Sequence, residues 1–388
     1  MKKVLAAITT LVMLGSFASC GAVTSPENTG TNTNTNTPKG DGTKTVGIAM
    51  PTKSLERWNR DGEYLKAQFE DAGYKVELKY SDDKTDQQNN DIQSMIADKV
   101  DLLLIAAVDG SSLSQTLADA KDAGIAVIAY DRLIMNTDAV SYYVSFDNYT
   151  VGKLQGEYVR DALDLDNTSE TYNIEFTAGD PADNNAPYFF NGAYDTLKKY
   201  IDKGTLKIPS GKTKFEQVAT LGWATDTALE NMQNTLASYY SDDVQLDVAL
   251  CSNDSTARGV TQAISSDYKG KNSPIVTGQD GDITNLKNIV DGKQSMTVYK
   301  NVNEEASVTL EVSKAVLAGQ TPDASLLNSV TVEAAYDTES YNNGVKVVPS
   351  YLLVPYVITK DNLDLLVDTG LYKWDANKKY LESTAETT

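Results

Sequence analysis

The chain has 388 residues, with 34 Lys and Arg against 54 Asp and Glu and a formal net charge of -20 at pH 7. That excess repels polyanions and argues against nucleic acid or an acidic lipid surface as partner. There is no histidine, and the only cysteines are Cys20 and Cys251, which excludes Ser-His-Asp and Cys-His catalysis, histidine zinc sites and a histidine proton shuttle.

Lys2 and Lys3 precede an apolar run over residues 4–14 that is too short to span a bilayer, so residues 1–19 are expected to be a signal peptide. Ala18 and Ser19 lead into Cys20, an arrangement similar to the lipobox of bacterial lipoproteins, in which the cysteine is acylated and becomes the new N-terminus; Phe17 stands where that box usually has Leu. The other reading is an ordinary cleaved signal with an incidental cysteine. Residues 31–40, Thr-Asn repeats followed by Pro-Lys-Gly, carry no apolar side chain to bury, so residues 20–44 read as a flexible tether. Such a coil lets the folded body range about 25 Å from its anchor. The expected location is extracytoplasmic, with the membrane touched only through the lipid. If Cys20 carries lipid, Cys251 lacks a disulfide partner and, next to Val248-Ala249-Leu250, reads as a small buried residue.

About 345 residues follow the tether, a length that suits two lobes. Residues 46–50, 75–80, 102–106 and 126–130 are short apolar or alternating runs, each followed by a turn and a longer helical pattern. Leu113, Leu117 and Ala120 fall at i, i+4 and i+7 on one stripe, and Gly73 and Gly124 stand where a helix would end in the left-handed conformation before the next strand. The rhythm restarts past Val151, with strands over 172–177, 248–250 and 275–277 and helices over 185–200, 227–240 and 256–265. A further helical run over 304–317, closed by Gly319 and Pro322, is expected to return to the first half. The expected fold is α/β: two doubly wound Rossmann-like lobes with parallel sheets joined by a multi-strand hinge. The N-terminal lobe takes residues 45–149 plus 302–348, the C-terminal lobe 150–301 plus 349–388, and the expected state is a monomer. Several crossings between two lobes make a hinge with a cleft.

Ligands of such sheets lie beyond the carboxyl ends of the strands. Lys53, Arg57 and Trp58 follow the first strand, and Asp131 and Arg132 the fourth. In the second half the corresponding residues are Asp183, Asn184, Asn185, Trp223, Asn253, Asp254, Gln279 and Asp280, with Lys300 after Thr297-Val298-Tyr299. Carboxylates, amides and cationic groups can satisfy hydroxyls that both donate and accept, and an indole can cover an apolar C–H face, so the set suits an uncharged polyol without metal or cofactor. Taken singly, an Asp or Asn after a strand can be a helix cap, a Trp can be core, and Arg57 or Lys300 a solvated charge. Repetition at one structural address favours binding.

Tyr130-Asp131-Arg132-Leu133-Ile134, Ser145-Phe146-Asp147-Asn148, Asp183-Asn184-Asn185-Ala186, Gly278-Gln279-Asp280 and Val348-Pro349-Ser350-Tyr351-Leu352-Leu353 occur in order along the chain. Together they resemble the D-xylose-binding and multiple-monosaccharide-binding proteins of bacterial ABC importers. The resemblance runs from Val46 to about Lys373 and implies a type I periplasmic-binding fold that closes on one pyranose and hands it to a permease; some members also report sugar to chemotaxis or sensor proteins. Carried over by motif, Arg57, Trp58, Asp131 and Arg132 would hold the sugar from the first lobe. Asn185, Trp223, Asn253, Asp280 and Lys300 would do so from the second lobe and hinge. Lys53, Asn184 and Asp254 form a secondary set with Phe146 and Asp147, which lie at the expected first crossing. Met50-Pro51-Thr52-Lys53-Ser54 is similar to the multiple-sugar branch and Cys251-Ser252-Asn253-Asp254 to the xylose branch, which leaves xylose, glucose, galactose and arabinose open.

A glycoside hydrolase is the competing class, since it needs only two suitably spaced carboxylates. Here the acids sit beside Arg and Asn, where they are expected to stay ionised as acceptors. Gly211-Lys212-Thr213 is like the end of a P-loop, but Leu206 stands where its first glycine must be. A sugar-responsive repressor would carry a basic DNA-binding segment where this chain has an export signal, and a purely adhesive protein would bind no small ligand saturably.

Overall fold

The computed structural model describes residues 42–241 and 244–384. The signal sequence, Cys20 and all but the end of the tether lie outside the described residues. The first half comprises β1 (Thr45–Met50), α1 (Glu56–Asp71), β2 (Lys75–Tyr80), α2 (Thr85–Ala97), β3 (Leu102–Ile105), α3 (Ser114–Asp122), β4 (Ala126–Tyr130) and β5 (Val140–Phe146). It is followed by α4 (Asn148–Ala162), β6 (Tyr172–Thr177), α5 (Ala186–Lys203), β7 (Leu206–Lys207), α6 (Phe215–Val218), α7 (Thr225–Tyr239), β8 (Val248–Cys251), α8 (Asp254–Asp267), β9 (Ile275–Val276), α9 (Ile283–Val290) and β10 (Met296–Tyr299). The chain ends with α10 (Val302–Leu317), β11 (Ala334–Asp337), β12 (Ser350–Leu353), β13 (Tyr356–Thr359), α11 (Asp364–Asp368), β14 (Tyr372–Trp374) and β15 (Leu381–Ser383).

Two sheets result. The first runs β11-β12-β5-β4-β3-β1-β2, parallel except for β11 at its edge. The second runs β7-β6-β8-β9, all parallel. A parallel bridge between Gln279 and Val298 brings β10 alongside β9, and β13 pairs antiparallel with β10.

The period of two along each strand sorts side chains between two cores. Val46, Ile48, Met50, Leu102, Leu104, Ile128 and Tyr130 pack against Leu65 and Phe69 of α1 and against α10. Their neighbours Ala49, Leu103, Ile105, Val127 and Ala129 face Ile92 and Met95 of α2 and Leu117 and Ala120 of α3. Both sets are fully buried, and each large aliphatic side chain so placed contributes about 1.5–3 kcal/mol from burial. Leu113 caps the α3 stripe as the spacing predicts, and Gly73 and Gly124 adopt φ of +89° and +74° where α1 and α3 end. Cys251 is buried at the end of β8, and burial pushes its thiol up.

The chain passes between the sheets three times. It leaves the first after β5, where the Asp147 carboxylate accepts the Thr150 N–H at 3.0 Å and starts α4. It returns after β10 through Lys300 and Asn301, whose side chain accepts the N–H groups of Asn303 and Glu304 and starts α10. It leaves again between β12 and β13. The sequence reading placed 349–388 wholly in the second lobe, but Ser350–Leu353 pair in parallel with Tyr143, Val144, Ser145 and Phe146 of β5. The last crossing therefore falls at Val354 and Pro355. The buried run Ser350-Tyr351-Leu352-Leu353 completes the first sheet because β5 would otherwise present an open edge to the core.

Candidate binding cleft between the sheets

The carboxyl ends of β1 and β4 face those of β6, β8 and β9 across a shared cleft. Leu55, Arg57, Trp58, Asp131 and Arg132 supply one wall; Asp183, Phe189, Trp223, Asn253, Ser255, Gln279, Asp280 and Asp282 the other, with Lys300 on the returning crossing.

Arg57 lies in the first turn of α1 yet is only 6% exposed. Its guanidinium grips Asp61 through Nε and Nη2 at 3.2 and 2.7 Å, donates Nη1 to Asp131 Oδ2 at 2.9 Å, and approaches Glu305 at 3.5 Å and Asp280 at 3.7 Å. Lys300 Nζ donates to the same Asp131 oxygen at 3.0 Å and lies 5.6 Å from the ring centroids of Phe146 and Phe189. With Oδ2 taken twice, Oδ1 is what Asp131 can offer a ligand. Burial pushes the Asp131 carboxyl up, but Arg57, Lys300 and Arg132 more than offset that and bring it down to about 2.

Arg132 donates Nη1 to the Ala107 carbonyl at 2.9 Å and pairs through Nε with Asp183 Oδ2 at 3.1 Å. The guanidinium carbons of Arg57 and Arg132 lie 4.4 and 5.0 Å from the Trp58 ring centroid, a cation–π arrangement that fixes both cations. Across the cleft, Trp223 donates Nε1 to Asp183 Oδ2 at 3.2 Å, and its main-chain carbonyl accepts the Ser255 hydroxyl at 2.8 Å. Its indole rests on Gly179, where a Cβ would stand 1.9 Å from Trp223 Cη2. Asn253 caps α8 by accepting the Thr256 N–H at 2.9 Å, so its amide N–H groups are what it can direct to a ligand.

Three wall residues hold a backbone conformation that non-glycine residues seldom adopt: φ is +55° at Asp131, +54° at Trp223 and +108° at Asp280. Such strain persists only where surrounding contacts hold it, and it concentrates at ligand sites. Among the described residues, Trp58 Nε1, Gln279 Oε1 and Asp280 Oδ1 are buried atoms of this wall without a hydrogen-bond partner. Each costs about 1–3 kcal/mol if left unpaired, and hydroxyls of a bound polyol would pair them.

The acids divide. Asp131 stays ionised, whereas burial raises Asp183, Asp280 and Asp282 above the usual carboxylate range despite facing cations. The depression expected beside cations is met at Asp131, while on the second wall desolvation outweighs the facing cations. Three cations, Arg57, Arg132 and Lys300, face four carboxyls, Asp131, Asp183, Asp280 and Asp282, a mixed lining that fits an uncharged ligand. No group of acidic or thiol side chains among the described residues is arranged to hold a metal.

Eight of the nine main candidates, Arg57, Trp58, Asp131, Arg132, Trp223, Asn253, Asp280 and Lys300, line this cleft. Asn185 stands behind it, donating Nδ2 to the Asp131 carbonyl at 2.6 Å. Asp254 also braces: its carboxylate accepts Gln294 Nε2 and the Asp282 N–H, each at 2.9 Å. Asn184 reaches only the Leu133 carbonyl, at 3.5 Å. Phe146 lies under Lys300, and Asp147 is spent on capping α4. Lys53 is not brought to the site; it is exposed, with its ammonium 4.8 Å from the Tyr80 ring centroid. Asp183 and Gln279, both in the positional census but not in the set expected to hold the sugar, also line the cleft, as does Asp282, which the census did not reach. Glu56 and Arg60 are further residues outside the expected set; their i,i+4 spacing places the two together on one face of α1.

The chain belongs to the periplasmic binding protein family: residues 46–321 match the family described as periplasmic binding protein domain. It is 42% identical over 338 residues to the multiple sugar-binding periplasmic receptor ChvE of Rhizobium radiobacter, covering 86% of this chain and 92% of that one. It is 34% identical over 330 residues to the D-xylose-binding periplasmic protein of Escherichia coli K12, covering 84% and 91%. Among solved structures, an ABC transporter solute-binding protein from Clostridium phytofermentans with bound β-D-glucose superposes with a TM-score of 0.80 at 49% identity, over 86% of this chain and 99% of that one. A carbohydrate transporter solute-binding protein from Chloroflexus aurantiacus in complex with D-glucose gives 0.74 at 32% identity, over 87% and 98%. The architecture is the type I periplasmic-binding fold, and these proteins are solute-binding receptors rather than enzymes, which sets the glycoside hydrolase aside.

Proposed function

We propose that this protein binds one uncharged monosaccharide, of the glucose, xylose, galactose or arabinose type, between its two sheets outside the cytoplasm. The observation that carries the reading is the cleft itself: both lobes contribute polar groups and indoles to its walls, with Trp58 Nε1, Gln279 Oε1 and Asp280 Oδ1 buried and unpaired. Relatives that are 42% and 34% identical are named for binding multiple sugars and D-xylose, and a neighbour at 49% identity holds β-D-glucose.

In this mechanism an open form admits the sugar, contacts from both lobes favour the closed form, and an ABC importer permease recognises the closed face. The lipidated Cys20 and the tether would hold the receptor beside that permease. A chemoreceptor or sensor kinase could read the same closed face, a second reading favoured by the 42% relative being named a receptor. Isothermal titration with D-glucose, D-xylose, D-galactose and L-arabinose tests the proposal. Saturable one-to-one binding of at least one of them is expected; absence of binding to all four, and to other simple pentoses and hexoses, would refute it.

A further inference from the structure

Arg60 does not line the cleft, yet four of its contacts reach the opposite lobe. Nη1 donates to the Gly281 carbonyl at 3.1 Å and to the Tyr372 hydroxyl at 2.9 Å. Nη2 donates to the Asp280 carbonyl at 3.1 Å and to Asp282 Oδ1 at 3.3 Å. Tyr372 in turn donates to the Gly281 carbonyl at 2.8 Å. One turn earlier on α1, Glu56 accepts the Ile283 N–H at 2.9 Å and lies 3.8 Å from Arg60 Nη1. The α1 helix thus clasps the four-residue segment from Asp280 to Ile283 by its backbone.

That segment has unusual geometry. Asp280 and Gly281 have φ of +108° and +74°, and a Cβ at Gly281 would stand 2.8 Å from the Tyr299 ring. On its amino side Asp280 is held within its own lobe, donating its N–H to the Val298 carbonyl at 2.9 Å. On its carboxyl side the Asp280 carbonyl is held from the other lobe by Arg60, which shares the Gly281 carbonyl with Tyr372 of Gly281's own lobe. A backbone this strained needs both restraints to persist, and the second exists only when the lobes are together.

We propose that Arg60 is a positioning residue that latches the closed state from outside the sugar chamber and sets Asp280 in its ligand-facing conformation as the lobes meet. Asp280 then becomes a competent acceptor through closure itself. Apparent affinity scales with the fraction of molecules in the competent state, so the latch raises affinity without touching the ligand. Because the contacts it makes are broken in the open form, it acts chiefly on sugar release. The affinity half of this inference rests on the monosaccharide reading; the closure half does not.

The test uses the full chain as wild type, Arg60→Ala and Arg60→Lys. Titration and stopped-flow tryptophan fluorescence with the tightest-binding of the four sugars should show Kd weakened on the order of ten- to hundredfold in Arg60→Ala. The loss should fall on koff, with kon within about threefold of wild type. Arg60→Lys should restore little, since an ammonium cannot fork to two carbonyls and a hydroxyl. The melting temperature of the sugar-free protein should stay unchanged; a parallel fall in it would mark an ordinary structural contact and overturn the proposal, as would Kd and koff within twofold of wild type. If the wild type binds none of the sugars, the monosaccharide reading falls. The latch is then judged by fluorescence energy transfer between dyes on the two lobes of the ligand-free protein: the closed fraction must drop in Arg60→Ala, and identical distance distributions overturn it.

Discussion

Asn185, at the head of α5 in the second lobe, donates its side-chain amide to the main-chain carbonyl of Asp131 in the first at 2.6 Å. The same carbonyl accepts the Ser145 hydroxyl at 2.8 Å and has the Tyr143 hydroxyl at 2.6 Å. This cluster holds the left-handed turn at Asp131, and one of its donors belongs to the other lobe. Replacing Asn185 with Ala should leave the cleft wall intact and still weaken sugar binding by about 1 kcal/mol, because two donors to the carbonyl remain. Calorimetric titration giving wild-type affinity would show that the bridge does not stabilise the closed form.

Asp131 separates two buried cations, and Lys300 is only 2% exposed. Asp131→Asn should abolish the sugar-dependent rise in melting temperature. It should also destabilise the sugar-free protein by about 3 kcal/mol, since Lys300 loses its nearest anion while Arg57 keeps Asp61. Urea unfolding measures the second effect; unchanged stability would mean that water or Asp280 replaces the lost charge.

Gly179 is a small residue on which an aromatic one rests. Gly179→Ala would set a methyl group 1.9 Å from Trp223 Cη2 and drive the indole off its seat into the cleft. Sugar affinity should fall at least tenfold although no group of the wall is removed, whereas Trp223→Ala at the same site loses only the stacking of about 1 kcal/mol or more. Titration of both variants checks the order; a tolerated alanine would mean that the indole can shift without cost.

Stability should change with pH in a defined direction. Burial, and then the charge of Asp280, raise Asp254 from the usual 3.8 to about 7. Below about pH 4 both folded and unfolded chains hold this proton. Between about 4 and 7 the unfolded chain releases it and the folded one keeps it, so stability falls as pH rises, then levels. Asp131 works the other way: its contribution is complete above about pH 4 and is lost as pH falls toward about 2. Wild-type stability should therefore peak under mildly acidic conditions, and Asp254→Asn should flatten the decline between pH 4 and 7. Urea unfolding across that range with equal slopes in both proteins would contradict the assignment.

The strands of the first lobe were legible because β3 and β4 are continuous apolar runs and because the glycines after α1 and α3 mark the turns. The residues lining the cleft were legible for a related reason: the fold puts the residue after each strand at one mouth, so a census by position finds Asp131, Arg132, Asn253 and Asp280. Strand β12 was misassigned because Tyr351, Leu352 and Leu353 would pair as well with either sheet, and only the register against Tyr143, Val144, Ser145 and Phe146 decides. Lys53 occupies the right place in the chain, but its flexible stem reaches Tyr80 instead. Arg60 and Glu56 escaped because their partners are mostly main-chain atoms more than 200 residues away, which leave no mark in side-chain chemistry.

The Asp147 N–H donates to the Leu353 carbonyl at 3.1 Å, so the first and last of the three crossings are stitched together where they leave the first sheet. Two connected straps can fold along a common line far more easily than they can twist past each other. The halves should therefore open like the covers of a book, spreading farthest at the edge opposite the stitched spine, and interlobe distances measured in solution should scale with distance from that spine.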